Sequence, residues 1–305
     1  MVEDIGKIIS NGFETYTKNL ALAIPFALNA VITGVLAITV FGFGFFYLFG
    51  SSLSALGSAS TPQAAAAILL PVITRHFYGI VILVIIYLLV FLFFQSFFMA
   101  GAIGMAQKAT ETGKSDLAVM IETGKKNVIN LYLAEVLVGL LALAGIVFIV
   151  PGAMRINLDQ LLSGKNADAV LLLAGGVFLW VIYIAILSLF LAVFSYALVI
   201  ENLGPVDGIA AGFGFFKAHK SDVFLLWVVI GIILVILMIA DAIFGGIPVL
   251  NVIWQFASLI INFLIIPPLT TLWWVRLYMT RTGKKMYFND LLMHPNDLKK
   301  LKADQ

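Results

Sequence analysis

The segment at residues 212–233, GFGFFKAHKSDVFLLWVVIGII, decides the fold. Its first half is aromatic and closes on Lys217, His219 and Lys220. From Val223 it runs apolar and uncharged as far as Asp241. The same transition occurs at residues 12–28, GFETYTKNLALAIPFAL, and at residues 124–141, GKKNVINLYLAEVLVGLL. Each reads as an amphipathic helix that leads into a membrane span.

Composition agrees. The chain of 305 residues is 62% hydrophobic and 11% charged, with a mean hydropathy of +1.08. A soluble domain carries about 25% charged residues. No charged residue stands between Lys18 and Arg75, or between His76 and Lys108. A spanning helix needs about 20 apolar residues to cross roughly 30 Å of hydrocarbon. The pattern predicts an all-α polytopic membrane protein with six spans, at about Leu20–Phe49, Phe77–Ala106, Val128–Val150, Ala169–Ile200, Val223–Ala240 and Val252–Tyr278. Barrel strands would be short and alternating, and these runs are continuously apolar. The first run is longer than the core of a cleavable signal peptide, so it reads as a retained helix. The chain has no cysteine, which removes disulfide and thiolate chemistry.

Fifteen of the eighteen lysines and arginines fall in the two termini and the loops after the second and fourth spans. The other loops hold Arg75, Arg155 and Lys165. Basic residues stay on the cytoplasmic side, so both termini are expected there, in the plasma membrane. The loop at residues 51–67 is small and polar, and its alanine-rich part with ILLPVIT predicts a short helix at the opposite surface.

Before each odd span, apolar residues recur at helical spacing: Ile5, Ile8, Ile9, Phe13 and Tyr16; then Leu117, Met120, Gly124 and Val128; then Val206, Ile209, Phe213 and Phe216. Such helices are expected in the headgroup plane. After the even spans come TETGK (110–114), ENLG (201–204) and TRTGK (280–284). Gly113, Gly204 and Gly283 are expected as left-handed helix caps, with Pro205 opening the next helix. These echoes divide a membrane domain of residues 1–285 into three parallel units of about 1–114, 115–204 and 205–285, followed by a basic tail at 286–305. The paired T-x-T-G-K favours duplication over the plainer explanation, that every junction on that face is amphipathic and basic. Mitochondrial carriers also have three two-span units, but they place the surface helix between the spans and carry a different motif.

The stretch ALVIENLGPVDGIAAGFGFFKAH (197–219), with Glu201, Gly204 and Pro205 as its sharpest part, resembles the membrane domain that precedes some glycerophosphodiester phosphodiesterases. Stand-alone six-span prokaryotic membrane proteins share the pattern. The resemblance runs to about Lys285 and implies a prokaryotic plasma-membrane domain. The phosphodiesterase barrel is absent, so it carries over no catalytic residue.

Intramembrane ionisable groups are functional candidates by default. Glu135 lies about seven residues into the third span. It reads as a proton or cation site, or as a structural carboxyl held against Asn130 or Tyr132. In the sixth span Asn262 precedes IIPPLTT, where Pro267 and Pro268 remove backbone donors. The freed carbonyls would face a substrate or be satisfied by Thr270, Thr271 and neighbouring helices. Gln95, Ser195, Gln255 and Ser258 are candidates for the same interior. LWWVRLY (272–278) reads as an aromatic belt with a snorkelling Arg276. Asp241 is expected at the far surface, capping the turn. His76, His219 and His294 are spread over different segments and predict no metal site. GKS at 113–115 lacks the first phosphate-loop glycine, since position 108 is lysine. No cofactor and no nucleic acid is expected. The expected partners are membrane lipids and a protein held through the surface helices or the tail. The leading expectation is a non-enzymatic accessory, interaction or lipid-associated role. The alternative is a transporter for a small solute, ion or lipid, with a path near Glu135 and the Pro267–Pro268 break.

Overall fold

The computed structural model describes residues 3–157 and 166–286. Among them six helices are long and apolar enough to cross a membrane: span 1, Leu20–Phe49; span 2, Phe77–Thr112; span 3, Leu117–Phe148; span 4, Ala167–Glu201; span 5, Lys220–Gly245; and span 6, Leu250–Arg281. No described residue lies in a strand. An even number of spans returns the chain to one face, where the Arg281 guanidinium donates to the Glu3 carbonyl at 2.8 Å. The expected helix in the loop after span 1 forms at Pro62–Arg75. The basic tail, with His294, lies outside the described residues apart from its first position.

Local chemistry sets the helix starts. Asp4 accepts from the Lys7 amide at 2.8 Å, and Asp116 from the Val119 amide at 3.1 Å, each satisfying a first-turn donor that the helix leaves open. Pro205 occupies the first turn of the entry helix Pro205–Ala218.

The buried core gathers at the termini end. It is built from residues 100–109 of span 2, 193–200 of span 4 and 269–279 of span 6, joined by Leu131, Val223 and Leu226. Toward the far end the spans present large apolar side chains outward, among them Phe43, Phe178, Ile236 and Phe256. Lipid tails are as apolar as these side chains, so nothing drives the far halves to bury them.

Entry helices Ile5–Lys18 and Pro205–Ala218 are separate elements. The second entry segment is not, which corrects the expectation: Leu117–Ala144 is one continuous helix packed along span 2. The first and third entry helices break at Asn19 (φ −135°, ψ 59°) and His219 (φ −129°, ψ 43°), each seven residues after a buried glycine. Seven residues after Gly124 stands Leu131, a strong helix former with no polar group to compete for the backbone.

The buried faces match the apolar stripes in part: Ile8 and Tyr16 of the first stripe and Met120, Gly124 and Val128 of the second are buried. Ile8, Gly12 and Tyr16 are buried in the first entry helix, and Gly208, Gly212 and Phe215 in the third; Phe13, Val206 and Phe213 stay exposed. Glycine permits the closest approach. A Cβ on Gly12 would lie 2.4 Å from the Trp273 ring of span 6. On Gly212 it would lie 2.5 Å from Phe194 Cα of span 4, and on Gly124 3.0 Å from Phe97 of span 2.

A second set of contacts ties the N-terminal half of each odd span, or the residue just before it, to the end of the next even span or the turn just after it. The Asn19 amide donates to the Gly113 carbonyl at 3.0 Å and accepts from the Ser115 amide at 3.2 Å. Asn130 donates to the Leu203 carbonyl at 3.3 Å, and Arg281 donates to Asp222 at 2.7 Å. Gly113 (φ 79°) and Gly283 (φ 68°) take the expected left-handed conformation. Gly204 does not: it is extended (φ −68°, ψ 169°), and Asn202 (φ 54°) is the left-handed cap. The residue before proline is pushed to extended backbone, and asparagine is one of the few side chains that tolerates the left-handed region.

Candidate functional site

Span 6 is broken where its prolines predict. An Ile261–Ile265 π turn is followed by the helix Ile266–Arg281, with Pro267 and Pro268 in its first turn. Pro268 has no N–H for the Leu264 carbonyl four residues earlier. The hydroxyl of Tyr16, from the first entry helix, donates to that carbonyl at 2.5 Å. Thr270 donates to the Pro267 carbonyl at 3.0 Å. Burial pushes the Tyr16 phenol above its ordinary value of 10.

Two turns further on lies the most buried ion pair. Arg276 is 2% exposed and Glu3 3%. Arg276 Nη2 donates to Glu3 Oε1 at 2.5 Å, Nε to Oε2 at 3.3 Å, and Nη1 to Thr15 Oγ1 at 3.3 Å. Asn11 donates to Glu3 Oε1 at 2.7 Å. This corrects the belt reading of LWWVRLY. Trp273, Trp274, Arg276 and Tyr278 are all buried in the bundle, and Trp273 Nε1 donates to the Ile9 carbonyl at 3.2 Å. A buried charge needs a partner of opposite sign and further hydrogen bonds; Glu3, just before the first entry helix, and Thr15 within it supply these. Glu201, of the ENLG motif, sits at the edge of this region, half-buried, paired with Lys284 at 2.9 Å and accepting from the Tyr278 hydroxyl at 3.4 Å. Gly204 and Pro205 start the helix that follows.

Glu135 stands apart from this cluster. Its partner is Ser96 of span 2, at 2.8 Å, and neither of the two residues expected. Asn130 holds the Leu203 carbonyl, and Tyr132 packs edge-on against Phe93. Ser96 Oγ also lies 2.7 Å from the Leu92 carbonyl oxygen. A hydroxyl has one hydrogen, so Ser96 shares it between the Glu135 carboxyl and the Leu92 carbonyl.

The remaining sequence candidates are dispersed. Gln95 is half-buried beside Ser96, and Ser195 is buried. Asn262 is exposed and donates to Ser258 at 3.5 Å; Gln255, also exposed, donates to Asn251 at 3.0 Å. No hydrogen bond joins Glu135, Gln95 and Asn262. Asp241 accepts from Trp254 Nε1, which ties spans 5 and 6 across their turn. At the far end Trp180 and Tyr183 of span 4 donate to the Ala142 and Leu141 carbonyls of span 3, at 3.1 and 2.8 Å.

Crevices open between the spans. One of about 740 Å³ is lined by Phe148, Leu171, Leu172 and Phe178, with Arg155 and Asp168 among its borders. Another, of about 390 Å³, lies between spans 4 and 5 beside Ser188, Trp227 and Gly231. Neither Glu135 nor Asn262 lines either one.

Glu3, Tyr16 and the buried state of Arg276 were missed in the sequence. One signal existed: two adjacent prolines leave carbonyls that need donors from elsewhere. Nothing in the spacing of Glu3 marks it as a partner for Arg276.

The chain is 24% identical over 303 residues to an uncharacterized protein of Archaeoglobus fulgidus, an alignment covering 92% of this chain and 97% of the relative. No family model matches the sequence, and no solved structure matches it.

Proposed function

We propose that this multi-pass membrane protein works without catalysis, as an accessory or lipid-associated component of a prokaryotic plasma membrane with both termini in the cytoplasm. The observation that carries this reading is that three polar groups carried by the spans, the Leu264 carbonyl, Arg276 and Glu135, each bond to another group of the chain. Tyr16 takes the carbonyl freed by Pro268, Glu3 takes Arg276, and Ser96 takes Glu135. A transport path needs such groups turned toward water or substrate. The apolar crevices between spans fit acyl chains, which supports association with lipid. Three parallel units made by duplication account for the repeated glycine contacts and the repeated span-to-turn bonds. The resemblance at residues 197–219 supports kinship with the membrane domains found ahead of glycerophosphodiester phosphodiesterases.

The test is flux. Purified protein is placed in liposomes, and movement of protons, common ions and labelled lipid is measured for the native chain and for Glu135→Gln. The expected result is no flux above empty liposomes, with both proteins equally folded. Flux that falls in Glu135→Gln would overturn this reading in favour of transport through Glu135.

A further inference from the structure

Span 6 carries Asn251, Gln255, Ser258 and Asn262 in the half away from the termini. Spacings of four, three and four place them in one stripe along the helix. Val252, Ile253, Phe256, Leu259 and Ile260 fill the positions around it. Pro248–Ile260 is accordingly the most amphipathic of the membrane-crossing helices. Some polar side chains of the spans are buried, as with Ser96, Ser195 and Thr271, and Thr39 of span 1 and Ser188 of span 4 are exposed single hydroxyls. Here Gln255 and Asn262 are exposed, and Asn251 and Ser258 half-buried.

Partial satisfaction comes from within the stripe, through the bonds from Gln255 to Asn251 and from Asn262 to Ser258. An amide has two N–H donors and an oxygen with two lone pairs. The Gln255 and Asn262 oxygens and one N–H of each have no further partner among the described residues. Asn262 lies about 18 Å along span 6 from Leu250, near the middle of a hydrocarbon layer about 30 Å thick. No water serves it there if the stripe faces lipid. The π turn of Ile261–Ile265 falls at the same level, an irregularity of the kind that gathers where helices do specific work.

We propose that a second copy of this chain covers the stripe, forming a parallel dimer through span 6. Two copies inserted in the same sense are related by an axis along the membrane normal, so each residue meets its own counterpart at equal depth. That geometry rejects charged residues, which repel their copies. It suits amides, because the oxygen of one accepts from the N–H of the other. The stripe contains only amides and a hydroxyl and has no formal charge, which fits a copy of itself better than an ionic headgroup or a charged partner helix. Interhelical bonds of this type hold membrane helices together where burial of apolar surface does not. This inference stands apart from the flux reading, since a dimer forms whether or not the protein conducts.

The chain's lack of cysteine makes the test direct. Gln255→Cys, Asn262→Cys and, as a control on an exposed face of span 4, Val181→Cys are each oxidised with copper phenanthroline in native membranes. The expected result is a covalent dimer from the first two variants and none from Val181→Cys. In mild detergent the unmodified chain is expected as a dimer, and a Gln255→Leu/Asn262→Leu variant of unchanged thermal stability as a monomer. If neither Gln255→Cys nor Asn262→Cys crosslinks while a membrane-impermeant maleimide modifies both, the stripe lines an aqueous path and the proposal is overturned. It is equally overturned if neither reagent reacts and the unmodified chain is monomeric, which leaves the stripe facing lipid.

Discussion

Gly212 and Gly214 lie two residues apart on one entry helix and should respond oppositely to the same substitution. A Cβ at Gly212 would lie 2.5 Å from Phe194 Cα and 2.7 Å from its Cβ and N, while a Cβ at Gly214 would meet nothing within 4 Å. Two of the three atoms are backbone, so no rotation of the Phe194 ring relieves the clash, and the entry helix must move off span 4. Overpacking of this kind costs about 1–3 kcal/mol. Replacing glycine by alanine inside a helix contributes up to about 1 kcal/mol in the opposite direction. That gain is common to both sites, so the difference between Gly212→Ala and Gly214→Ala isolates the clash at about 1–3 kcal/mol. At about 2–4 °C per kcal/mol for a chain slightly smaller than this one, the two midpoints should differ by roughly 2–10 °C. Gly214→Ala should melt at or above the native chain, and Gly212→Ala at or below it. The assay is loss of tryptophan fluorescence order on heating in one detergent, with matched purity. Equal shifts of the same sign would refute the close packing of this helix on span 4.

Removing one partner of the buried Glu3–Arg276 pair should cost about 3–5 kcal/mol; thermal melts of Glu3→Ala and Arg276→Met should both show it, and the double variant should lose less than the two single losses added together. Tyr16→Phe leaves the Leu264 carbonyl without its donor and should cost about 1–3 kcal/mol. Because folding raises the Tyr16 phenol above 10, its share of stability is fully present below pH 10 and is lost as pH climbs through the raised value. Melts across alkaline pH should therefore fall less steeply for Tyr16→Phe than for the native chain. Glu135→Gln keeps an N–H able to donate to Ser96 while Ser96 serves Leu92, so its midpoint should stay near the native one; Ser96→Ala removes the bridge and should cost about 1–3 kcal/mol. A Glu135→Gln loss as large as that of Ser96→Ala would show that an amide does not replace the carboxyl in this contact.

The spans were legible because a bilayer forces backbone groups to bond within each helix and apolar length does the rest. The break in span 6 was legible from Pro267 and Pro268, and Gly113 and Gly283 from their place after an even span. What the sequence hid was direction. Part of each of the first two stripes packs on protein, as Ile8, Tyr16 and Met120 do, but in the first and third entry helices the closest approach falls on glycines outside the stripe, Gly12 on Trp273 and Gly212 on Phe194. In a soluble chain an apolar stripe must be buried, but beside a membrane it can face lipid. Arg276 was hidden for a related reason. An arginine after two tryptophans at the end of a span is equally consistent with an interfacial anchor and a buried pair, and only the fold brings Glu3 to it across more than 270 residues. Gly204 misled because glycine suits two jobs, and the proline after it assigns the extended one.

The long separations at the termini end carry a structural consequence. Span 6 holds a guanidinium and an unbonded carbonyl at depths where neither is tolerated alone. Both are satisfied from the N-terminal segment, by Glu3 for Arg276 and Tyr16 for Leu264, and Gly12 gives Trp273 its seat. The second and third entry segments pack on the even spans that immediately precede them, span 2 and span 4. The first packs on span 6. This packing brings the first and last segments together, and the Glu3–Arg276 and Tyr16–Leu264 contacts hold the seam. Contacts of such sequence separation carry a large loop-closure cost. The buried Arg276 and the π turn at Ile261–Ile265 are the features of span 6 that this seam serves. A polar lock belongs at that position, because apolar contacts alone would not select one end of the chain over lipid.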